Sequence, residues 1–308
     1  WRSSGGLSWS KVRDVIVSPG PHARYNNPQI VQGHHDGARL VFSEWNNDAA
    51  NFVQKVYLWG DEGFKQRALT PEITRLAGDS RIETAVRISC EGFPLGATTA
   101  VVASAQDFPA VLCGVPLAHA LRAPVLLTRS DTLDPVLTDE LRRLNVTRVI
   151  ILGGGSAVSP SVETAIGTLR NARGQPITTE RVAGANRYET SAAIAMRLAD
   201  VRGVPSGVIL ASGRSFADAL AVSPFAARRG RPILLTPPSE VSTVTAGVLE
   251  EFAPSEIVVV GGFAAVPPDI VESYEALSSA PSVLRWGGED RYETAAIIAA
   301  RSVVAGHS

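Results

Sequence analysis

The chain has very few cysteines and no long hydrophobic segment. Cys90 and Cys113 are its only cysteines, and two thiols can form neither a disulfide framework nor a four-cysteine zinc site. Either both thiols are free and buried, or they form one disulfide if they lie close enough together. No apolar run approaches the roughly 20 residues that a membrane-spanning helix needs, so the sequence predicts no membrane span.

An excess of one charge is also missing. The chain carries 29 Lys and Arg against 30 Asp and Glu, for a formal net charge of -1, whereas nucleic-acid-binding domains usually have a strong basic excess. We therefore predict no nucleic-acid partner. Hydrophobic residues make up 45% of the chain, which excludes wholesale disorder, and its length suggests about two domains. Because it starts at Trp1 without a signal segment, we expect a processed form or a fragment.

The first 70 residues differ in composition from the rest, since all three lysines and four of the five tryptophans lie there. Alternating apolar and polar side chains, separated by turn residues, predict three short strands at residues 37–45, 52–59 and 64–69. A meander of this kind is typical of a propeller blade, and residues 35–42, 56–58 and 67–70 resemble blades of TolB-like propellers. We expect residues 1–70 to form a partial propeller, with Phe42, Trp45 or Trp59 exposed where another blade belongs.

From residue 72 onward the chain repeats itself. The sequence RLAGDSRIETA at residues 75–85 recurs as RVAGANRYETS at 181–191 and as RWGGEDRYETA at 285–295. Three later motifs repeat in the same order: VVAS at 101–104 with ILAS at 209–212, PVLLT at 124–128 with PILLT at 232–236, and ILGG at 151–154 with VVGG at 259–262. We predict two complete repeats, residues 72–180 and 181–284, which should superpose, and a truncated third repeat at residues 285–308.

Each complete repeat alternates short β-branched runs with longer apolar-periodic stretches. In the second repeat, the predicted strands are residues 208–210, 233–235 and 257–260, and the predicted helices are residues 187–199, 216–228 and 241–252. Strands buried on both faces and separated by helices favour a mostly parallel sheet with right-handed crossovers. The predicted fold class is therefore α/β, with tandem Rossmann- or flavodoxin-like repeats after a short all-β segment.

The opening motif of each repeat predicts a capped helix. Ser80, Asn186 and Asp290 are strong N-cap residues, and a glutamate follows each of them after three residues (Glu83, Glu189 and Glu293), which predicts a capping box. An arginine at the first helical position opposes the helix dipole, so each one needs an anionic partner: a buried carboxylate or an anionic ligand. The three arginines are Arg81, Arg187 and Arg291. Asp218 is a candidate carboxylate, although Ala110 stands at the aligned position of the first repeat.

The remaining candidates for chemistry are few. Glycines 153–155 and 261–262 follow a strand and precede a helix, but they fit no nucleotide-binding motif and can simply permit the turn. The repeated serines Ser104 and Ser212 have no repeated base to activate them. We find no HExxH or GxSxG motif, so the sequence predicts no catalytic residue, metal or cofactor.

The combination of residues 181–190, ASGRSFADAL at 211–220, PILLT and VVGG resembles the cell-wall-binding type 2 repeat. This resemblance covers residues 72–308 and implies a noncatalytic, secreted module of surface proteins from Gram-positive bacteria. It further implies three repeats that pack as a pseudo-threefold set and hold an anionic wall polysaccharide or a teichoic-acid-like polymer. The predicted ligand-binding residues are Arg81, Arg187, Arg291, Asp218, Thr128 and Thr236. The first repeat departs from the family pattern at Ala105, Pro109 and Ala110.

Three functional hypotheses follow. The first is a wall-anchoring module, in which weak contacts repeated along a polymer gain avidity. The absence of lysine from residues 71–308 suits it, because arginine binds phosphate and carboxylate bidentately; a bias toward arginine codons explains the same composition. The second hypothesis is a targeting or modifying region of a wall-lytic amidase system. The third is a nucleotide-dependent α/β enzyme.

Overall fold

The structure is a computed structural model, and it describes residues 74–304 together with short strands nearer the N-terminus; side chains are described for residues 74–302. The chain forms two compact units, Trp1–Arg75 and Leu76–Ser308. Among the described residues, no helix combines the length and apolar character that crossing a membrane requires.

The first unit contains antiparallel strands. They are β1 (Arg2–Ser3), β2 (Trp9–Ser10), β3 (Ala23–Gln32), β4 (Ala38–Asn46), β5 (Val53–Gly60) and β6 (Gly63–Arg67). Strands β3 to β6 form one sheet in sequence order, and β1 pairs with β2. The three predicted strands correspond to β4, β5 and β6, while β3 was not predicted. The side chains of Phe42, Trp45 and Trp59 lie outside the described part of the chain, so their predicted exposure stays a prediction.

The second unit alternates helices and strands throughout. Its elements are α1 (Arg81–Gly92), β7 (Thr99–Ser104), α2 (Pro109–Ala120), β8 (Val125–Thr128), α3 (Pro135–Leu144), β9 (Arg148–Leu152), α4 (Pro160–Thr168), β10 (Thr178–Val182), α5 (Arg187–Arg202), β11 (Gly207–Ser212), α6 (Ala217–Arg229), β12 (Ile233–Thr236), α7 (Thr243–Phe252), β13 (Glu256–Val260), α8 (Pro268–Glu275), β14 (Ser282–Trp286) and α9 (Arg291–Val304). Prolines at the first helical position open α3, α4 and α8, where a missing N–H group costs nothing.

Two four-stranded parallel sheets with the same strand order organise this unit. The first has the order β10-β9-β7-β8, and the second has the equivalent order β14-β13-β11-β12. All of their strand pairs are parallel. The prediction of tandem α/β repeats is therefore confirmed, and so are the three strands and three helices predicted in the second repeat.

The central strands of each sheet divide their side chains between two cores. In β7, Val101 and Ala103 face a core that both sheets share, whereas Ala100 and Val102 face a core of the first sheet alone. The second sheet has its own outer core against α7 and α8. Strands covered on both faces need apolar residues at every position, which is why their sequences read as continuous apolar runs.

The shared core joins the two repeats. Helix α2 of the first repeat packs against α5 and α6 of the second, and residues from both sheets form one contiguous buried cluster. Phe108 and Phe216, which occupy the same position in the two repeats, meet edge to face with ring centroids 5.2 Å apart. Each fully buried leucine or isoleucine in such a core contributes about 1.5–3 kcal/mol, so the repeats stabilise one another.

The repeated opening motif spans the junction between the sheets. Its first residues, Arg181 and Val182, lie in β10 and pair with β9 of the first sheet, whereas its helix α5 packs against β12 of the second. In the third copy of the motif, Arg285 and Trp286 lie in β14 of the second sheet, and helix α9 packs against α6. A boundary between residues 180 and 181 thus cuts through a strand, and the sheets themselves separate between residues 182 and 187.

Both cysteines are free, so the disulfide considered from the sequence is not formed. Cys113 is 2% exposed, and burial raises the pKa of its thiol. The Cys90 thiol lies 3.6 Å from Glu140 Oε2; burial, and next the nearby Glu140 carboxylate, raise its pKa. Neither thiol is therefore activated as a nucleophile.

Candidate polymer-binding clefts

A cleft of about 430 Å³ opens at the carboxyl ends of strands β7 and β9. Ser104, at the end of β7, and Leu152 with the glycines after β9 line it, and Arg187 on α5 lies at its wall. Strands β8 and β9 lie on opposite sides of β7, so the chain continues from β7 to β8 in one direction and from β9 to β10 in the other. Parallel α/β sheets bind ligands in the crevice that such a switch of direction creates. We call this the first cleft.

The second sheet repeats the parts of this cleft. Gly261 follows β13 as Gly153 follows β9, and both adopt the same left-handed conformation with φ of 101°. We call the corresponding site the second cleft and define it by Ser212, Asp218, Gly261, Gly262 and Arg291.

The predicted N-caps are confirmed at the helices that open each repeat. Ser80 Oγ accepts a hydrogen bond from the N–H of Glu83 at 3.2 Å. Asn186 Oδ1 accepts from Tyr188 and Glu189, and Asp290 Oδ1 accepts from the two equivalent residues of α9. These contacts satisfy N–H groups that a helix start leaves without a partner.

The glutamates complete the caps in a slightly different way from the one predicted. Glu83, Glu189 and Glu293 accept from the residue before the N-cap, at 2.7–2.9 Å, rather than from the N-cap itself. One residue earlier, Gly184 donates to Thr190 Oγ1 at 3.1 Å. A Cβ on Gly184 would lie 2.2 Å from the Glu189 Cβ, so only glycine permits this close approach. The glutamates therefore have a structural role.

The structure gives the arginines a partner that the sequence analysis did not consider. Arg187 Nη1 donates to the carbonyl oxygen of Gly213 at 2.7 Å, and Arg81 Nη1 donates to the carbonyl of Ala105 at 2.6 Å. Ala105 is the first residue after β7, and Gly213 is the first residue after the equivalent strand β11. Neither arginine pairs with a carboxylate among the described residues. Both are exposed, and one hydrogen bond leaves most of a guanidinium's N–H groups available.

Arg291 and Asp218 come together at the second cleft without forming an ion pair. Burial raises the pKa of the Asp218 carboxyl, and the positive charge of Arg291 opposes that shift. Asp218 is 8% exposed, whereas Arg291 is exposed. Within the described residues, Arg291 has no hydrogen-bond partner. The predicted pairing of the arginine with Asp218 is therefore a long-range electrostatic contact.

Arginines at the first position of the motif hold the glycine loops, a role that the sequence analysis missed. Arg181 binds Glu163 through two nitrogens at 2.9 and 2.7 Å and the carbonyl of Gly153 at 2.7 Å. Arg285 donates to the carbonyls of Gly261 and Val266. The signal was the arginine that begins all three copies of the motif.

Thr128 and Thr236 lie inside the protein. Both are fully buried. Thr236 Oγ1 lies 2.9 Å from the hydroxyl of Tyr274, and Thr128 Oγ1 has no partner among the described residues. Their hydroxyls do not reach a surface where a polymer could bind, because the strands that carry them are covered on both faces.

The described residues contain no group of three or more His, Cys, Asp or Glu side chains that could hold a metal. Ser104 Oγ lies 3.2 Å from Gln106 Oε1, and Ser212 Oγ accepts from the N–H of Arg214. Neither contact supplies a base. The arrangement presents arginine side chains at the first cleft and at the equivalent place in the second sheet, and it is suited to anion binding.

Comparison with known proteins decides the family. The model of Cell wall binding domain 2 (CWB2) matches residues 75–163 and 181–271, which together cover more than half of the chain. The chain belongs to the CWB2 family. Its second unit is therefore a cell-wall-binding module that acts at the cell wall or cell surface. The two CWB2 matches begin at Arg75 and Arg181, the first residues of the first two copies of the opening motif.

Two curated relatives from Bacillus subtilis (strain 168) match the same proportion of the chain. The N-acetylmuramoyl-L-alanine amidase LytC is 35% identical over 226 residues, which cover 73% of this chain and 42% of LytC. The amidase enhancer is 32% identical over 224 residues, covering 73% of this chain and 29% of the enhancer. The chain thus spans less than half the length of either relative.

Two solved structures share the fold. Cwp6 from Clostridium difficile superposes with a TM-score of 0.65 at 22% identity, covering 86% of this chain and 50% of Cwp6. Cwp8 from the same organism gives a TM-score of 0.64 at 24% identity, covering 90% of this chain and 49% of Cwp8.

Proposed function

We propose that this CWB2 module is noncatalytic and anchors a secreted protein to an anionic wall polymer, which binds in the first and second clefts. The observation that carries the proposal is the position of Arg187 and Arg291 at two equivalent crevices of a cell-wall-binding domain. A planar guanidinium binds phosphate or carboxylate with two hydrogen bonds, and backbone N–H groups at a helix start favour anions as well. The arginines supply the first feature, and the starts of α2 and α6, whose N-cap residues make no side-chain hydrogen bond, supply the second.

Two equivalent clefts suit a polymer better than a small ligand. A chain of repeating anionic units can occupy both clefts at once, and the second contact then forms at a high effective concentration. Weak binding at each cleft consequently becomes firm attachment. Exposed charge contacts of this kind weaken as the salt concentration rises.

Sedimentation with purified Gram-positive cell walls tests this function. The full chain is mixed with walls before and after chemical removal of their secondary anionic polymers. We expect cosedimentation with untreated walls, a decrease with increasing salt, and loss of binding after extraction. Equal binding to extracted walls would refute the anionic-polymer proposal. Saturable binding of a mononucleotide at the first cleft would favour the nucleotide-dependent enzyme instead.

A second candidate function is targeting within a wall-lytic amidase system. The similarity to LytC and to the amidase enhancer favours it, because both names belong to amidase chemistry. Addition of the purified chain to an amidase assay on cell walls distinguishes this function from passive anchoring. A change in the rate of wall lysis supports it, whereas an unchanged rate supports anchoring alone.

We also propose that α1 receives a further repeat, as the pseudo-threefold set implies. Ile88 on α1 is 53% exposed, but Ile194, its counterpart on α5, is 1% exposed in the core shared with α2. An α2-like helix from a third repeat would cover Ile88 in the same way. For the N-terminal unit, the antiparallel order of β3 to β6 supports the proposal of a propeller blade, which has four such strands.

A further inference from the structure

The two clefts differ at the start of the helix that follows the first strand. Asp218 is the second residue of α6, and Ala110 is the second residue of α2 and occupies the equivalent position. A Cβ placed on Gly153 would lie 3.9 Å from the Ala110 Cβ, and one placed on Gly261 would lie 2.6 Å from Asp218 Oδ2. Both side chains therefore approach the glycine of their own cleft, and the second cleft has a carboxylate where the first has a methyl group.

The Asp218 carboxylate has no partner in the described part of the chain. It is 8% exposed, yet it makes no hydrogen bond or ion pair with the described residues, and only the charge of Arg291 favours its ionised form. The residue lies in the first turn of α6 but caps no N–H group, since the N-cap is Phe216 and has no side-chain hydrogen bond. Burial of an unpaired carboxylate is costly, so a ligand that donates hydrogen bonds would satisfy it.

An exposed aromatic residue accompanies this acceptor. Phe263 follows the glycines of the second cleft and is 67% exposed, with the Arg285 guanidinium 4.9 Å from its ring centroid. The first cleft has Gly155 at the equivalent position. An aromatic face can pack against the C–H groups of a sugar ring, and an ionised carboxylate can accept hydrogen bonds from its hydroxyls.

We propose that the second cleft recognises a sugar unit of the polymer, whereas the first cleft holds only an anionic group. In the second cleft, Asp218 accepts hydrogen bonds from sugar hydroxyls, Phe263 packs against the ring, and Arg291 binds the anionic substituent. The first cleft has Asp107 at its wall, but this carboxylate is exposed to solvent and provides no buried acceptor. This inference rests on the proposed function, because it assigns the polymer to these clefts.

The test compares a polyanion that contains sugars with one that does not. Binding of the full chain is measured by calorimetry to anionic polysaccharide extracted from Gram-positive walls and to inorganic polyphosphate. The main variant, Asp218→Ala, copies the residue of the first repeat and so is compatible with this helix start. We expect it to bind the polysaccharide about tenfold more weakly, as for the loss of one or two hydrogen bonds to a charged group. Its affinity for polyphosphate should stay equal or rise, because a negative charge near Arg291 is removed.

Control variants separate recognition from charge. Phe263→Ala should lower the affinity for the polysaccharide alone. Asp107→Ala, which removes an exposed acid from the first cleft, should change the affinity for both polymers by the same factor. Asp218→Asn keeps the shape and one acceptor oxygen, and should give an intermediate loss if Asp218→Ala fails to fold. Parallel changes for both polymers in the Asp218 variants would overturn the inference. Failure of the wild-type chain to bind the polysaccharide would refute the proposed function as well.

Discussion

Replacement of Arg187 by alanine should affect stability slightly and wall binding strongly. The variant loses one charge-assisted hydrogen bond to the Gly213 carbonyl. Such a bond contributes about 1.5–3 kcal/mol, and exposure of the arginine favours the lower figure. Removal of a cation from a helix N-terminus returns a few tenths of a kcal/mol. The net cost is therefore about 1 kcal/mol, or a decrease of about 2–4 °C in Tm for a unit of this size.

The matched control is Arg81→Ala. Arg81 makes the same hydrogen bond, to the Ala105 carbonyl, but it lies at the start of the first repeat and does not line the first cleft. Both variants should show the same small decrease in Tm by calorimetry. Only Arg187→Ala should lose wall affinity, by about tenfold or more, because a bidentate contact with an anion is lost. Wild-type wall affinity in Arg187→Ala would show that this arginine is purely structural and that the first cleft does not bind the polymer through it.

Three further predictions concern stability and can be measured by thermal or urea unfolding. Gly184→Ala should destabilise the chain by about 3 kcal/mol, since the added methyl group collides with the backbone of α5. The control is Gly167→Ala, where the methyl group has open space; it should stabilise the chain by about 0.5–1 kcal/mol. Arg143→Ala should cost about 3 kcal/mol because it removes the two hydrogen bonds, at 2.6 and 2.8 Å, that Arg143 donates to the buried Glu140 carboxylate. Burial tends to raise the pKa of Glu140, but the hydrogen bonds from Arg143 outweigh burial and lower the pKa below 4.5. The stability that this pair contributes should therefore be present above pH 4.5 and should disappear as the pH falls through the lowered pKa. Asp218→Asn should stabilise the chain at pH 7, because burial raises the pKa of this carboxyl. The gain should shrink as the pH falls below the raised pKa and should vanish below the ordinary value of 3.8; destabilisation at pH 7 would contradict the assignment.

Local sequence patterns predicted the secondary structure of the repeats well. Continuous apolar runs such as 257–260 identified buried strands because both faces of each sheet are covered. The N-caps Ser80, Asn186 and Asp290 were predictable because capping depends on residues only two or three positions apart. The recurrence of these motifs at one period was sufficient to predict tandem modules of the same topology.

Contacts between distant segments were not predictable in the same way. The partner of Arg187 is a backbone carbonyl 26 residues away, and no side-chain pattern marks a carbonyl group. Thr128 and Thr236 end their strands next to polar loops, yet the covering helices bury them completely. The pairing of β10 with β9 depends on the strand order of the sheet, so the repeat in the sequence and the repeat in the structure are offset.

This offset has a consequence for binding. The helix that carries Arg187 belongs to the second sheet, but its N-terminus lines the cleft of the first sheet. Each complete cleft therefore needs residues from two successive repeats. If the polymer binds in these clefts, the tandem arrangement itself creates the binding site, and an isolated repeat lacks one wall of its cleft.

Hydrogen exchange in the presence of extracted wall polymer tests the central claim most directly. If the polymer binds in the two clefts, backbone N–H groups should gain protection at residues 104–110, 153–157 and 184–190 in the first cleft, and at residues 212–218, 261–265 and 288–294 in the second. Helices α3, α4, α7 and α8, which cover the outer cores, should exchange at unchanged rates. Protection confined to those outer helices, with no change at either cleft, would contradict the account.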